Sequence, residues 1–125
     1  MTVLDASALL VLLFGEPGHE AVAPHLRGGL LSAVNLSEVL ARFARDGHDP
    51  AAVSARLAGT GIEIVPFDQR QAILAAALAP ATRPLGLSLG DRACLALATD
   101  RRLPALTADR AWSELPLGIE VRQVR

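Results

Sequence analysis

Residues 2–10 read TVLDASALL, and this opening segment contains the pattern on which the fold depends. A short strand-like run leads to Asp5, and the small and apolar residues after it favour a helix. In α/β folds a helix runs back along the strand that it follows. Strand carboxyl ends and helix amino ends therefore meet at one edge of the sheet, where ligands bind. The segment predicts a strand-to-helix junction that places an acid at this edge.

Three further acids occupy similar positions along the chain. Glu38 follows the apolar run 30–33 and is expected in a first helical turn. Asp91 is expected in the first turn of a later helix, and Asp109 follows the strand-like segment 104–108. All four acids are therefore predicted to lie at the same edge of the sheet.

Helix capping offers a simpler explanation for each acid taken alone, because carboxylates satisfy the free N–H groups of a first turn. Ser88 and Asp91 match a capping box, while Asn35 and Glu38 nearly match one. The other two acids stand where an N-cap would. A fifth acid, Asp68, follows a strand-like run in the same way and is expected to be only a cap.

Strand-like and helical segments alternate along the chain, which predicts a mostly parallel sheet covered on both faces. The predicted strands are 2–5, 30–33, 62–66, 104–107 and 119–124. The predicted helices are 7–13, 17–26, 35–46, 50–58, 68–79, 88–100 and 110–114. Glycine and proline predict turns at 15–18, 28–29, 59–61 and 80–86. With 125 residues, 51% of them hydrophobic, the chain is expected to form a single domain over residues 1–125.

Several features predict a cytoplasmic protein without a membrane segment. The apolar run 8–14 is too short to span a bilayer, and no basic residue precedes Asp5 as in a signal peptide. Cys94 is the one cysteine, so no internal disulfide is possible. Its position among apolar residues of a predicted helix favours a buried, inert thiol over a nucleophile.

The four acids lie in short motifs that, as a set, resemble the PIN domain and in particular the VapC-type toxin ribonucleases. The motifs are VLDAS at 3–7, NLSEV at 35–39, SLGDR at 88–92 and LTADRAW at 106–112. The resemblance spans nearly the whole chain. It implies a three-layer α/β/α fold with a five-stranded sheet in the order 3-2-1-4-5. The first and fourth strands would then be neighbours, about 4.8 Å apart, and Asp5 and Asp109 could flank one ion.

The resemblance also implies an activity, a cofactor and partners. The expected activity is that of a metal-dependent endoribonuclease, the toxin of a VapBC-type pair, leaving 5′-phosphate and 3′-hydroxyl ends. A cognate VapB-like antitoxin would inhibit it by lying along the apolar residues 9–14, and toxins of this kind usually form homodimers. The implied metal-binding and catalytic acids are Asp5, Glu38, Asp91 and Asp109. The implied site-orienting hydroxyls are those of Ser7 and Thr107.

The donor set favours Mg²⁺, with Mn²⁺ as an alternative, because oxygen ligands suit these ions and no set of histidine and cysteine suggests zinc. Carboxylates crowded together without a cation repel one another, and at least one tends to keep its proton. Mg²⁺ is usually held by few carboxylates together with substrate phosphate, which suits hydrolysis of a phosphodiester. Glu38 or Asp109 could orient or deprotonate the attacking water, and the residues do not decide between them.

The charge pattern permits RNA binding although the net charge is -1. All twelve basic residues are arginine, whose planar fork can bind two phosphate oxygens. Arg42, Arg45, Arg92 and Arg110 lie near the motif acids and could together hold the RNA backbone. Each alone could equally be a surface arginine paired with a carboxylate. A platform for stacking several bases is not expected, because aromatic residues make up only 3% of the chain.

Two other classes of function do not fit these residues. A phospho-receiver uses a lysine in its site, and this chain has none. A phosphatase of the Asp-x-Asp type would need a carboxylate where Ser7 stands. Two alternatives remain: a PIN-like module that binds RNA or protein without cutting, and a housekeeping RNA-decay nuclease. The complete set of four acids favours catalysis over binding alone.

Overall fold

A five-stranded sheet lies at the centre of the structure, a computed structural model that describes residues 1–115 and 118–125. Its strands are β1 (Val3–Leu4), β2 (Leu30–Ser32), β3 (Glu63–Val65), β4 (Ala105–Thr107) and β5 (Val121–Gln123). They lie in the order β3-β2-β1-β4-β5, and all four neighbouring pairs are parallel. The predicted strand order and the predicted parallel sheet are therefore confirmed.

Helices cover the sheet. The α-helices of the described residues are α1 (Ala6–Leu13), α2 (His19–Val22), α3 (Ala33–Arg45), α4 (Pro50–Ala58), α5 (Gln69–Ala77), α6 (Ala79–Thr82) and α7 (Leu89–Arg101). Short 3₁₀ helices follow at Ala23–His25, Arg83–Leu85 and Arg110–Glu114. Within the described ranges, none of these helices combines the length and the hydropathy that crossing a membrane requires.

Consecutive strand residues point to opposite sides of the sheet, and each side packs into a core of its own. Val3 of β1 packs into a core with Cys94 and Leu95 of α7. Leu4, the next residue, packs into a second core with Leu9 of α1. β2 and β4 alternate in the same way between the two cores. The result is the predicted three-layer α/β/α arrangement, with one helical layer on each face.

Proline explains two differences from the predicted elements. The predicted helix 17–26 is divided, because α2 gives way to a 3₁₀ turn that contains Pro24. The predicted turn 80–86 contains most of α6 and a further 3₁₀ turn, which have Pro80 and Pro84 as their second residues. Proline suits the start of a helical turn, where its missing N–H is not needed. A third difference is that the predicted helix 110–114 is a 3₁₀ helix.

The start of α3 changes the interpretation of one acid. The helix begins at Ala33, two residues before the predicted start, because Ser32 is its N-cap and accepts a hydrogen bond from the Val34 N–H at 3.2 Å. Glu38 is therefore in the second turn of α3. The predicted place of Glu38 in a first helical turn is therefore wrong, and the capping explanation does not apply to it.

Candidate metal centre

Asp5 is a buried acid that does not cap its helix. It directly follows β1 and is 2% exposed. Its backbone N–H donates to the carbonyl oxygen of Leu106 at 2.9 Å, so pairing with β4 continues through it. It occupies the N-cap position of α1, but its carboxylate accepts no hydrogen bond from a backbone N–H of that helix. The capping explanation therefore fails for Asp5.

Two hydroxyl groups fix the orientation of the Asp5 carboxylate. Ser7 Oγ donates to Asp5 Oδ2 at 2.5 Å, and Thr107 Oγ1 donates to the same oxygen at 3.0 Å. Ser7 Oγ also accepts from the Ala108 N–H, and Thr107 Oγ1 from the Asp109 N–H, each at 3.0 Å. Because an N–H can only donate, each hydroxyl is the acceptor in that bond, and its own proton remains available for donation to Asp5. The backbone that follows β4 thus holds the first acid in place.

Thr107 is the neighbour of Asp5 across the sheet. Leu4 pairs with Leu106, so Asp5 and Thr107 are the next residues along the two strands. Asp109 lies two residues further on, and its Oδ1 accepts the Ala111 N–H at 2.9 Å as the cap of a 3₁₀ helix. Asp109 is joined to Asp5 through Thr107, and its carboxylate is occupied as a cap.

Asp91 lies on α7 and Glu38 lies on α3, and these two helices contact each other. Asp91 Oδ2 accepts the Ser88 N–H at 2.8 Å, and Ser88 Oγ accepts the Asp91 N–H at 3.3 Å. This is the predicted capping box of α7. The Glu38 carboxylate lies against Gly90, the residue before Asp91. The contact between α3 and α7 therefore brings Glu38 to the amino end of α7.

Burial and neighbouring charge together disfavour ionisation of Asp5. Burial raises the pKa of Asp5 to about 6 from 3.8, while the Ser7 hydrogen bond lowers it. The negative charge of Asp91 raises it further, the Thr107 hydrogen bond lowers it, and Glu38 raises it. Asp91 and Glu38 therefore both lie within electrostatic range of Asp5. This is the repulsion that a bound cation would remove.

Cys94 lies beneath these acids on α7 and is fully buried, as predicted. Burial raises the pKa of its thiol well above the usual value, and the charges of Asp5, Asp91 and Glu38 add to the effect. Only a thiolate is a good nucleophile. Cys94 is therefore a buried residue of the core with little tendency to form a thiolate.

The donor set fits a hard divalent cation, but the side chains are not gathered around one point. Within the described part of the chain, no group of three or more His, Cys, Asp or Glu residues has an arrangement that could hold a metal ion. Asp91 and Asp109 instead face the N–H groups that they cap. The oxygens offered at this edge belong to carboxylates and hydroxyls, which suit Mg²⁺ or Mn²⁺. The two capping carboxylates would have to turn to meet an ion.

The four predicted RNA-binding arginines differ in their surroundings. Arg42 forms an ion pair with Asp46 at 3.7 Å, and its guanidinium lies 4.8 Å from the centre of the Phe14 ring. Arg92 donates from Nη1 to a backbone carbonyl oxygen of α5 at 3.1 Å. Arg45 and Arg110 are exposed. Two of the four thus have structural contacts of their own, and two are open to a ligand.

Asn35 and Gly90 belong to the site although neither is predicted from the sequence to have a role there. Asn35 is fully buried and donates to Glu38 Oε1, and Gly90 is the residue against which that carboxylate lies. One signal was present in the sequence. Ser32 is a good N-cap at the end of β2, and a helix that starts after it places Asn35 in its interior.

Comparison with known proteins agrees with this architecture. The family model that matches the chain is described as PIN domain and covers residues 2–117. None of the curated proteins compared with the chain matches it.

Among solved structures, a toxin-antitoxin complex from Klebsiella pneumoniae contains a chain with a TM-score of 0.80 and 21% identity, over 100% of this chain and 98% of that one. A DNA-bound VapBC from Salmonella typhimurium gives a TM-score of 0.73 and 18% identity over 100% of both chains. FitAcB from Neisseria gonorrhoeae gives a TM-score of 0.73 and 21% identity, over 99% of this chain and 98% of that one. At these identities the likeness shows a shared fold.

Proposed function

The chain belongs to the PIN-domain family, and from this premise we propose that it is a metal-dependent endoribonuclease, the toxin of a VapBC-type toxin-antitoxin pair. Support comes from the family match and from the fold shared with chains of toxin-antitoxin complexes. RNA is the proposed substrate, the cytoplasm the proposed location, and 5′-phosphate and 3′-hydroxyl ends the proposed products.

The environment of Asp5 carries this proposal. A carboxylate that is 2% exposed, caps no helix and has its pKa raised to about 6 reduces the stability of the fold. Two hydroxyls nevertheless hold it in one orientation. A group that is costly and well oriented at a ligand-binding edge is typical of a functional site.

Asp5, Asp91, Glu38 and Asp109 are the residues that would hold Mg²⁺ or Mn²⁺. The chemistry supplied by a bound ion would be activation of water and neutralisation of charge on the scissile phosphate. The hydroxyls of Ser7 and Thr107 would keep Asp5 Oδ2 in place by donating hydrogen bonds to it. Whichever of Glu38 and Asp109 is not bound to the ion would orient the attacking water or accept a proton from it.

The arginines near the site would bind the RNA backbone. Arg45 and Arg110 are exposed and could meet phosphate groups directly. Arg42 and Arg92 would first have to give up the contacts that they make with Asp46 and with the Ala75 carbonyl oxygen. Contacts to the backbone would select RNA by its shape more than by its bases.

A VapB-like antitoxin and a second copy of the chain are the proposed protein partners. Leu13 and Phe14 at the end of α1 are 37% and 39% exposed, which leaves apolar surface uncovered on the chain alone. We propose that an antitoxin segment covers this surface and inhibits the enzyme. We also propose a homodimer.

The decisive experiment is cleavage of total RNA by the purified protein with Mg²⁺ or Mn²⁺, with chelator, and with variants. Asp5→Asn and Asp91→Asn should abolish discrete, metal-dependent cuts. Asp68→Asn is the matched control, because Asp68 is an acid that caps α5 by accepting the Gln71 N–H at 2.9 Å. This variant should cut as the unchanged protein does. Sequencing of the cut ends identifies the target and tests the proposed products.

Two results would contradict the proposal. Cuts that persist in Asp5→Asn and Asp91→Asn come from a contaminating nuclease. No cuts after confirmed removal of any antitoxin would favour a PIN-like module that binds RNA or protein without cutting. One observation favours this second candidate, namely that the Asp91 and Asp109 carboxylates serve as helix caps. A housekeeping RNA-decay nuclease would give the same cuts but would have no antitoxin.

A further inference from the structure

Gly90 leaves the space that the Glu38 carboxylate occupies. A Cβ added at Gly90 would overlap Cδ and both oxygens of Glu38. Gly90 is buried in the first turn of α7, where its backbone is helical and does not require glycine. Glycine lowers helix stability by up to about 1 kcal/mol relative to alanine, the full value applying in a helix interior. The contact with Glu38 is therefore the feature that accounts for glycine here.

Asn35 attaches the same carboxylate to α7. Its side chain is 0% exposed. Nδ2 donates to Glu38 Oε1 and to the Gly90 carbonyl oxygen, each at 2.9 Å. Both partners are acceptors, so only the NH₂ end of the amide can face them. One amide group thus links α3 to the first turn of α7 through Glu38 and Gly90.

Stability alone does not explain a buried asparagine at this position. Among the described residues, Asn35 Oδ1 has no hydrogen-bond partner although it is buried. An unpaired buried acceptor costs on the order of 1–3 kcal/mol. The chain therefore carries two unfavourable features, a glycine within a helix and an unpaired amide oxygen. Both are explained if the position of the Glu38 carboxylate is what they serve.

We propose that Asn35 and Gly90 are positioning residues that hold the Glu38 carboxylate at the amino end of α7, beside Asp91. Asn35 supplies the hydrogen bond that orients Oε1, and Gly90 supplies the space. This inference rests on the proposed function, because it assigns Glu38 a fixed place in the cation and RNA site.

Gly90→Ala tests the proposal without removing any polar group. We expect RNA cleavage to fall about 100-fold, as for a small displacement of a catalytic group. The affinity for Mn²⁺ alone, measured by electron paramagnetic resonance, should weaken by about 10- to 100-fold. The unfolding midpoint should stay the same or rise, since alanine favours a helix.

Gly59→Ala is the matched control for the glycine change. Gly59 ends α4 with φ at -73°, and an added methyl group there would approach the Arg56 carbonyl oxygen at 3.4 Å. This variant should cut RNA and bind Mn²⁺ as the unchanged protein does.

Double variants that combine Gly90→Ala with a substitution of Glu38 show whether Gly90→Ala acts on cleavage through Glu38. In a Glu38→Gln background, Gly90→Ala should alter cleavage by no more than about twofold, the usual error of additivity. Glu38→Asp should partly restore cleavage to Gly90→Ala, because the shorter side chain withdraws from the added methyl group. In metal-free protein, Glu38→Gln should also shift the side-chain amide resonances of Asn35, a readout that requires neither metal nor RNA.

Several results would overturn the proposal: unchanged cleavage and Mn²⁺ affinity in Gly90→Ala, a lower unfolding midpoint, an equal loss in the Glu38→Gln background, or Asn35 resonances that do not respond. Failure of the proposed function gives a different pattern. In that case the unchanged protein cuts no RNA, while Gly90→Ala still weakens Mn²⁺ binding and Glu38→Gln still shifts the Asn35 resonances.

Discussion

The ionised carboxylate of Asp5 lowers the stability of the metal-free protein. Burial, with the charges of Asp91 and Glu38, raises its pKa from 3.8 to about 6, which corresponds to about 3 kcal/mol. The folded state holds this proton more tightly than the unfolded state does. The contribution of Asp5 to stability therefore falls as the pH rises from about 4 to about 6, and the full cost remains above that range.

Asp5→Asn should therefore stabilise the metal-free protein at neutral and higher pH, because it removes the charge and keeps the size. We expect the free energy of unfolding to rise by up to about 3 kcal/mol at pH 8 and by little at pH 4. Urea unfolding with chelator at both pH values measures this difference. Asp68→Asn, which changes an exposed cap, should show no such gain. An Asp5→Asn protein less stable than the unchanged one at pH 8 would contradict the burial cost.

Asp5 and Asp68 also show how far single residues can be understood from sequence. Each follows a strand-like run and precedes a helix, so the local pattern is the same. β1 is the central strand and is paired on both sides, whereas β3 is an edge strand. Asp5 is consequently buried and Asp68 is exposed. The difference arises from strand order, which local sequence does not contain.

At the scale of elements, α7 ends in a strained residue. Arg102 is its C-cap and has φ 55° and ψ 47°, the left-handed region that favours glycine. A residue with a Cβ pays about 1–2 kcal/mol in this region. The carboxyl end of α7 lies away from Asp91, which is in the first turn of the same helix. Stability and cleavage can therefore be separated at this position.

Arg102→Gly should stabilise the protein by about 0.5–1 kcal/mol, because relief of strain exceeds the added entropy of the unfolded chain. Arg101→Gly is its matched control, since Arg101 is the last helical residue and loses the same charge. That change should destabilise by up to about 1 kcal/mol. Thermal unfolding measures both, and both variants should cut RNA normally. Shifts of the same sign would show that charge, and not backbone conformation, decides the effect.

The helix caps show which elements local sequence is sufficient to predict. The capping box of α7 and the cap at Asp68 were predicted from residue type and spacing, and both are present. α3 starts two residues before its predicted start, because Ser32 both ends β2 and caps the helix. Where several residues could serve as an N-cap, the first suitable one after the strand starts the helix. Ser32 is that residue, and the start of α3 there determines which face of the helix carries Glu38.

At the scale of the whole molecule, sheet order determines which acids meet. Alternation of strands and helices predicted the parallel sheet, but the order 3-2-1-4-5 came from the family resemblance. The order makes β1 and β4 neighbours, and the register then places Thr107 beside Asp5. Register depends on packing of both faces at once. The hydroxyl contacts of Asp5 were therefore beyond what residue spacing could show.

An apolar surface on the layer of α1, α3 and α4 is the part of the molecule that we expect the antitoxin to cover. Phe14 stacks on Phe43 with ring centres 5.3 Å apart, and the Arg42 guanidinium lies over the Phe14 ring. Next to them is a cavity of ≈ 250 Å³ whose lining includes Leu13, Phe43 and Val53. Aromatic and arginine side chains at an apolar groove are typical of the centre of an interface.

Phe14→Glu should therefore weaken inhibition by a cognate VapB-like antitoxin by at least about tenfold, because it places a charge in the buried centre of the contact. Inhibition is expressed relative to cleavage by the same variant without antitoxin, because Phe14 lies against Arg42, a proposed RNA-binding residue. Ile73→Glu is the matched control, since Ile73 is 63% exposed on α5, which packs against α7 on the other face of the sheet. Titration of antitoxin into the RNA cleavage assay measures both. Inhibition of Phe14→Glu at the normal antitoxin concentration would exclude this surface, and relief of inhibition by Ile73→Glu would assign the antitoxin to the opposite layer.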